Sequence, residues 1–311
     1  MSRIIYVPQY PTKLRYQEFW MSEFTKVFED NFDEVIVLGE NYIDKFVIEE
    51  RMPGMFSGIN NAIYLEQLQI VDYMKIELKD DDILFLADLS FPGFFSNILH
   101  HKKPKKCFAY CHATSLNAHD YFQSVRQSKW LTETGHSKLF DIIFVGSEYH
   151  KIKLGWNNTT IIGVPKPPFK TFNYEKNYEI ISVSRPSIQK VTKKIEKQVI
   201  RDFGEILRKP VESWEEYYKF LSQANVVLLS GKEETFGYTV MEAVMNNSVP
   251  LAPKKYSYPE LLSSDYLYDD YEDLRYKIWQ VFDGQIKPPK ELENQFLVDD
   301  FYVNLISLMK G

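Results

Sequence analysis

Short apolar runs recur along the chain with amphipathic stretches between them. Ile4–Val7, Val35–Leu38, Ile83–Leu86, Cys107–Tyr110, Ile142–Val145 and Thr160–Ile162 are each continuous rather than alternating. Continuous runs of this length suit parallel strands buried on both faces. Between the first two, Tyr16, Phe19, Trp20, Phe24, Val27 and Phe28 fall on one face of a helix, with Glu18, Glu23, Lys26 and Asp30 elsewhere. Strand alternating with helix implies a doubly wound α/β domain.

The pattern breaks at Val164-Pro165-Lys166-Pro167-Pro168-Phe169, where three prolines in four positions disfavour both helix and central strand. Alternation then restarts with Tyr178–Val183, a weaker strand near Glu205–Leu207, Val226–Leu229 and Val249–Ala252, and the tail from Tyr266 reads as helical. The expected organisation is an N-terminal doubly wound α/β domain over 1–165, a Pro-rich linker over 166–177, and a second α/β domain over 178–290. The segment 291–311 is a C-terminal helix able to pack back on the first domain. Two such domains make a cleft at the C-terminal ends of their strands, where ligands bind in parallel sheets.

A length of 311 residues suits two domains. With 37 basic against 43 acidic residues the net charge is −6, so no global basic field draws nucleic acid, and such a role needs a local patch. Cys107 and Cys111 are the only cysteines and sit too close along one strand to bridge, which points to a reduced, cytoplasmic protein. The N-terminus reads as a strand rather than a signal peptide, and no apolar run is long enough to span a bilayer.

Several chemistries drop out. Val7-Pro8-Gln9-Tyr10-Pro11 stands where a dinucleotide-binding G-x-G-x-x-G would follow the first strand. Neither a P-loop nor a G-x-S-x-G elbow is present. Cys111 and His112 are neighbours on a strand and point to opposite faces, which argues against a zinc site. No Asp-x-Asp metal motif is evident, since the run Asp80-Asp81-Asp82 before a strand reads as solvated.

The informative stretch runs from Val226 to Ala243. A buried strand ends in a polar loop, and Thr235-Phe236-Gly237 opens a helix, with Glu234 before it and Glu242 about two turns in. A helix start offers unpaired N–H groups and a positive dipole end to phosphate. A carboxylate there repels phosphate but accepts hydrogen bonds from sugar or ribose hydroxyls. Two acids flanking such a helix start therefore suit a nucleotide sugar. Taken alone, Glu242 is a solvated helix residue and Glu234 a loop charge.

This arrangement resembles the E-x7-E signature of retaining GT-B glycosyltransferases, family 4 above all. Glu234 and Glu242 have seven residues between them, Phe236 and Gly237 included. Asn246-Asn247-Ser248-Val249-Pro250 resembles the family's next strand start, with Asn247 where glycine is usual, a substitution that the left-handed tolerance of Asn accommodates. Tyr258-Pro259-Glu260-Leu261 resembles the turn that follows. Val183-Ser184-Arg185-Pro186-Ser187-Ile188-Gln189-Lys190 keeps the family's spacing of five between Arg and Lys. The alternative for that pair is membership of a solvated basic helix face.

The resemblance implies a GT-B fold, two Rossmann-like doubly wound domains facing across a cleft, the first (1–165) on the acceptor side and the second (178–290) binding the nucleotide sugar, and metal-independent retaining transfer from a nucleotide-diphosphate sugar, UDP-sugar first. No other cofactor is implied. Arg185 and Lys190 would neutralise the diphosphate. Thr235, Phe236, Gly237 and Glu242 complete the donor site, while His112, at a strand end, and Glu234 are the catalytic candidates. Ser147, after Ile142–Val145, would face the cleft. The glycine-rich loop that the family carries after its first strand is replaced by Pro11-Thr12-Lys13-Leu14-Arg15, so Lys13 and Arg15 become acceptor candidates.

For the acceptor, the chain looks similar to phage-encoded glycosyltransferases that decorate hydroxymethylated DNA bases, working in the host cytoplasm. Such DNA would be met by Lys13, Arg15 and the run Lys102-Lys103-Pro104-Lys105-Lys106, although that run precedes a strand and falls at the opposite end of the sheet. The alternatives are a saccharide acceptor in surface-glycan assembly and a non-catalytic nucleotide-sugar-binding protein.

Overall fold

A computed structural model describes residues 2–47, 55–117, 121–184 and 191–311. The apolar runs become β1 (Arg3–Val7), β2 (Glu34–Val37), β3 (Ile83–Leu86), β4 (Lys106–Tyr110), β5 (Ile142–Val145) and β6 (Thr159–Ile161). They form one parallel sheet in the order β2-β1-β3-β4-β5-β6. Its helices are α1 (Tyr16–Glu29), α2 (Met55–Lys75), α3 (Phe95–Ile98), α4 (Arg126–Ser137) and α5 (Glu148–Leu154). Successive strand residues feed opposite faces, as period-two geometry requires. Ile4, Tyr6, Phe85 and Phe144 meet Phe19, Trp20, Phe24 and Phe28 of α1, while Ile5, Val7, Leu84 and Leu86 meet Tyr73 of α2.

The second sheet runs β10-β9-β8-β7, again parallel: β7 (Tyr178–Ile181), β8 (Ala224–Leu228), β9 (Val249–Pro253) and β10 (Leu267–Tyr268). Around and after it come α6 (Lys193–Phe203), α7 (Trp214–Ser222), α8 (Tyr238–Met245), α9 (Tyr258–Leu261), α10 (Tyr271–Phe282), α11 (Phe296–Asp299) and α12 (Phe301–Lys310). The expected strand near Glu205–Leu207 contracts to one parallel bridge, Ile181 to Leu207. No described helix is long and apolar enough to cross a membrane.

One expectation is overturned at the N-terminal ends of the strands of the first sheet. Asp82 is fully buried rather than solvated. Its carboxylate takes Nε of Arg3 at 2.8 Å and a terminal guanidinium nitrogen at 2.7 Å. This bidentate pair joins the starts of β1 and β3, and burial is tolerable because both charges are met.

Phe301, Leu305 and Met309 of α12 share the apolar cluster of α1 and the first sheet, and Phe301 lies 5.8 Å from Phe24. The route there depends on Gly163. Its φ is +76°, and a Cβ at that position would stand 1.6 Å from the Leu297 carbonyl oxygen. The same carbonyl accepts the N–H of Val164 at 2.9 Å. We expect Gly163→Ala to cost about 3 kcal/mol or more, because backbone must move. Gly155→Ala, also left-handed at φ +63° but facing open space, should cost only about 1–2 kcal/mol. Thermal melts of the two variants check the ranking; equal shifts would remove the steric role of Gly163.

Candidate active site

Strand order locates the site before any side chain does. In the first sheet β1 sits between β2 and β3, so the connections leave β1 and β3 in opposite directions. In the second, Leu207 lies across β7 from β8, so the same reversal falls between β7 and β8. Crevices at such switch points, beyond the strand C-termini, are where open α/β sheets bind ligands. The loop after β8 carries Glu234 to Gly237. The loop after β7 carries Arg185 and Lys190, which lie outside the described residues.

The loop after β8 is clamped from both domains. Ser257 Oγ donates to the Phe236 carbonyl at 2.6 Å. Ser147 Oγ donates across the interface to the Thr235 carbonyl at 2.5 Å. Phe236 is buried against Gly146, where a Cβ would meet the Phe ring at 3.1 Å. Gly237 adopts φ +112°, a conformation open to glycine, and α8 starts directly after it. Asn247 takes φ +56°, as the substitution for glycine anticipates.

Glu242 falls one turn into α8, nearer the helix start than expected, and is buried. Tyr217 donates its hydroxyl to Oε2 at 2.8 Å. Burial pushes the carboxyl up to about 7, with the Tyr217 hydrogen bond and the Arg15 charge opposing. Glu242 is therefore not a solvated helix residue. Glu234 is half-buried and accepts the Thr235 N–H at 3.1 Å.

His112 lies beyond the end of β4, in an aromatic stack. Its ring centroid is 4.5 Å from Tyr16, 4.4 Å from Trp20 and 4.6 Å from Tyr110. Nε2 is 3.2 Å from the Ala87 carbonyl, and burial depresses the imidazole to about 3. A neutral ring that donates from Nε2 keeps Nδ1 as an acceptor. Tyr16 also stacks on Tyr238, the first residue of α8, at 5.5 Å and 7°, and Trp20 Nε1 donates to the Tyr238 hydroxyl at 2.9 Å. The stack thus joins His112 to the start of α8.

The acceptor candidates have different surroundings from those expected. Ser147 is buried, caps α5 by accepting the His150 N–H at 3.1 Å, and holds Thr235; it is an interdomain tie rather than an open cleft contact. Arg15 acts electrostatically on Glu242, in the second domain. Lys13 is exposed on the same loop. Lys102 donates to the carbonyls of Tyr73, at 3.3 Å, Met74, at 3.1 Å, and Ile76, at the end of α2. Lys103, Lys105 and Lys106 stand at the start of β4, the strand end opposite His112.

Two further links were not legible as site chemistry. The Glu260 carboxylate accepts the N–H groups of Glu148, at 2.7 Å, and Tyr149, at 2.8 Å, at the start of α5 in the other domain. Glu233 takes the Tyr149 hydroxyl at 2.9 Å and Lys153 Nζ at 2.6 Å. Only contacts between residues 80 or more positions apart reveal these pairs.

No family model matches the chain. Among solved structures, TarM is similar at 15% identity and TM-score 0.54, over 78% of this chain and 55% of TarM, so the chain spans about half of TarM's length. A variant of S. aureus TarM was solved with UDP and α-GlcNAc-glycerol. Sucrose-phosphate synthase from Thermosynechococcus elongatus is similar at 9% identity and TM-score 0.66, over 99% and 95% of the two chains. The lipopolysaccharide outer core galactosyltransferase WaaB is similar at 14% and 0.61, over 99% and 100%. The fold is GT-B, as the sequence led us to expect.

Glu242 yields a signed pH prediction. Its folded pKa of about 7 exceeds the ordinary 4.5, so the folded state holds the proton more tightly. That stabilisation is complete below about 4.5 and is lost as pH rises through about 7. Glu242→Gln should therefore flatten the fall in melting temperature between these pH values and leave the variant relatively more stable at pH 8. Parallel melting curves for variant and wild type across that window would contradict the burial argument.

Proposed function

We propose that this chain is a nucleotide-sugar-dependent retaining glycosyltransferase that works without a metal ion. The observation that carries the reading is the loop from Glu234 to Gly237 opening α8 at a sheet switch point, with Glu242 buried one turn inside. Retention, metal independence and a UDP donor rest on the E-x7-E resemblance, and the UDP-bound TarM variant supports the donor.

In this reading the first N–H groups of α8, with Arg185 and Lys190, meet the diphosphate. Glu234 takes sugar hydroxyls, Glu242 takes ribose hydroxyls, and His112 faces the donor sugar as a neutral group. The bond from the anomeric carbon to the phosphate oxygen breaks, and the bond to the acceptor oxygen forms on the same face. The acceptor proton passes to the departing phosphate, whose charge the cations stabilise.

A saccharide is the acceptor that charge placement favours. Lys102 is engaged at the end of α2, and Lys103, Lys105 and Lys106 stand at the far strand end. A duplex track built on these lysines would run away from His112. DNA carrying hydroxymethylated bases is the second reading, left with the Lys13 and Arg15 loop as its patch.

Labelled nucleotide sugars offered with oligosaccharides, hydroxymethylcytosine DNA and unmodified DNA test both. We expect transfer from a UDP-sugar to a saccharide. Glu234→Ala and Glu242→Ala should each slow it about ten- to a hundred-fold, the loss of one charged hydrogen bond. Wild-type rates in both variants would sink the assignment. Arg185→Ala should weaken binding of the nucleoside diphosphate far more than that of the nucleoside, read by calorimetry. Equal weakening would remove Arg185 from the phosphate site.

A further inference from the structure

The switch point of the first sheet holds a cavity outside the donor machinery. Gln9 lies two residues beyond β1, Asp88 two beyond β3, and Glu66 reaches in from α2. The rings of Tyr10 and Phe91, 5.5 Å apart, complete the lining. The volume is about 20 Å³, room for one hydroxyl-sized group.

Two buried atoms in this lining have no partner. Gln9 is 7% exposed and Glu66 6%. Gln9 donates Nε2 to Asp88 Oδ2 and leaves Oε1 unsatisfied. Glu66 accepts the Phe95 N–H on Oε1 at 2.5 Å and leaves Oε2 unsatisfied. A buried orphan acceptor costs about 1–3 kcal/mol, and two at one cavity call for a guest that donates hydrogen bonds.

The surroundings narrow that guest. An anion would meet two unsatisfied oxygens, Gln9 Oε1 and Glu66 Oε2, and no unsatisfied N–H to hold it. An ammonium is opposed by Lys129, whose charge reaches Glu66 and Asp88 and whose Nζ donates to the Ser90 and Pro92 carbonyls at 2.5 and 3.0 Å. A neutral hydroxyl satisfies both conditions. The cavity also adjoins the donor side, since Gln9 acts on the Tyr16 hydroxyl and Tyr16 stacks on His112 and Tyr238.

We propose that this cavity is a specificity subsite for one hydroxyl of a neutral saccharide acceptor, whose single proton is shared between Gln9 Oε1 and Glu66 Oε2 in a three-centre hydrogen bond, with the sugar's apolar face against Tyr10 and Phe91. The inference rests on the glycosyl-transfer reading above for the acceptor's role, and its binding chemistry stands apart from that reading.

Ligand-observed NMR on the full chain with UDP present, using methyl glucoside, methyl galactoside and methyl mannoside as probes, tests it. Glu66→Gln keeps the acceptor for Phe95 and puts an amide where Oε2 stood; Gln9→Met removes the amide altogether. Each should weaken binding of the preferred glycoside about tenfold, the worth of one hydrogen bond, with UDP affinity within about twofold of wild type by the same measure. Thermal melts identify a variant that fails to fold, and the other then carries the test. Wild-type protein that binds none of the glycosides, or variants that bind them as tightly as wild type does, would overturn the proposal and leave the cavity to structural water. A hydroxymethylated oligonucleotide that binds in place of the glycosides, and is lost in the variants, would also overturn it. Glycoside binding without donor turnover would keep the subsite and remove the transferase reading.

Discussion

The structure turns on one side chain seated where another is missing. Phe236 of the second domain packs on Gly146 of the first, and a Cβ at that glycine would stand 3.1 Å from the ring. With Phe236 seated, the Thr235 carbonyl comes within 2.5 Å of Ser147 Oγ, Gly237 turns the chain left-handed, and α8 starts against the aromatic stack. The placement of Glu234 and Glu242 follows from this seat. So does continuity of the core: Phe236, Val240 and Leu261 belong to the same apolar cluster as Tyr6, Phe85 and the C-terminal Phe301.

Burial sets the charge state around this seat. His112 and His150 are each depressed to about 3 by desolvation, so both rings are neutral at ordinary pH. Desolvation raises Glu242 and Glu66 to about 7 and Asp88 to about 8. These carboxyls are poised where a small change in nearby charge alters their protonation. A negative charge brought beside Glu242 would raise that carboxyl further, whereas Arg15 pulls it down.

The sequence was most legible where the physics is local. Strands buried on both faces read as continuous apolar runs, and β1, β3, β5 and β9 begin within a residue of the runs that forecast them. Two-residue β10 and the single bridge at Leu207 are too short for any period to register. Helix α2 was not anticipated, and Glu66 and Gln69 are buried where an apolar stripe would show. The Asp82 error has a similar cause, since Arg3, 79 positions away, neutralises a charge that looks solvated locally. The left-handed turn at Asn247 was legible because the resemblance sets a glycine at that position. Tyr217 and Glu260 were not, because their partners lie on other elements.

Polar ties ring the apolar seat, and their energetics limit how the two domains move. Glu260 satisfies two N–H groups at the start of α5 in a charge-assisted arrangement. Glu233 holds Tyr149 and Lys153, and on the other flank Glu18 takes Trp214 Nε1 at 3.0 Å. Water can replace the Glu18 contact at modest cost, because Glu18 is exposed, whereas the largely buried Glu233–Lys153 pair is costlier to part. Phe236, Trp20 and Tyr110 have no such substitute; exposing a large aromatic costs roughly 1.5–3 kcal/mol each. Motion that exchanges the polar ring for water while pivoting on the Phe236 seat is therefore cheaper than separation of the domains. A pivot of that kind would let the mouth between the two switch points widen with Glu242, His112 and the Gln9 cavity still on one aromatic frame.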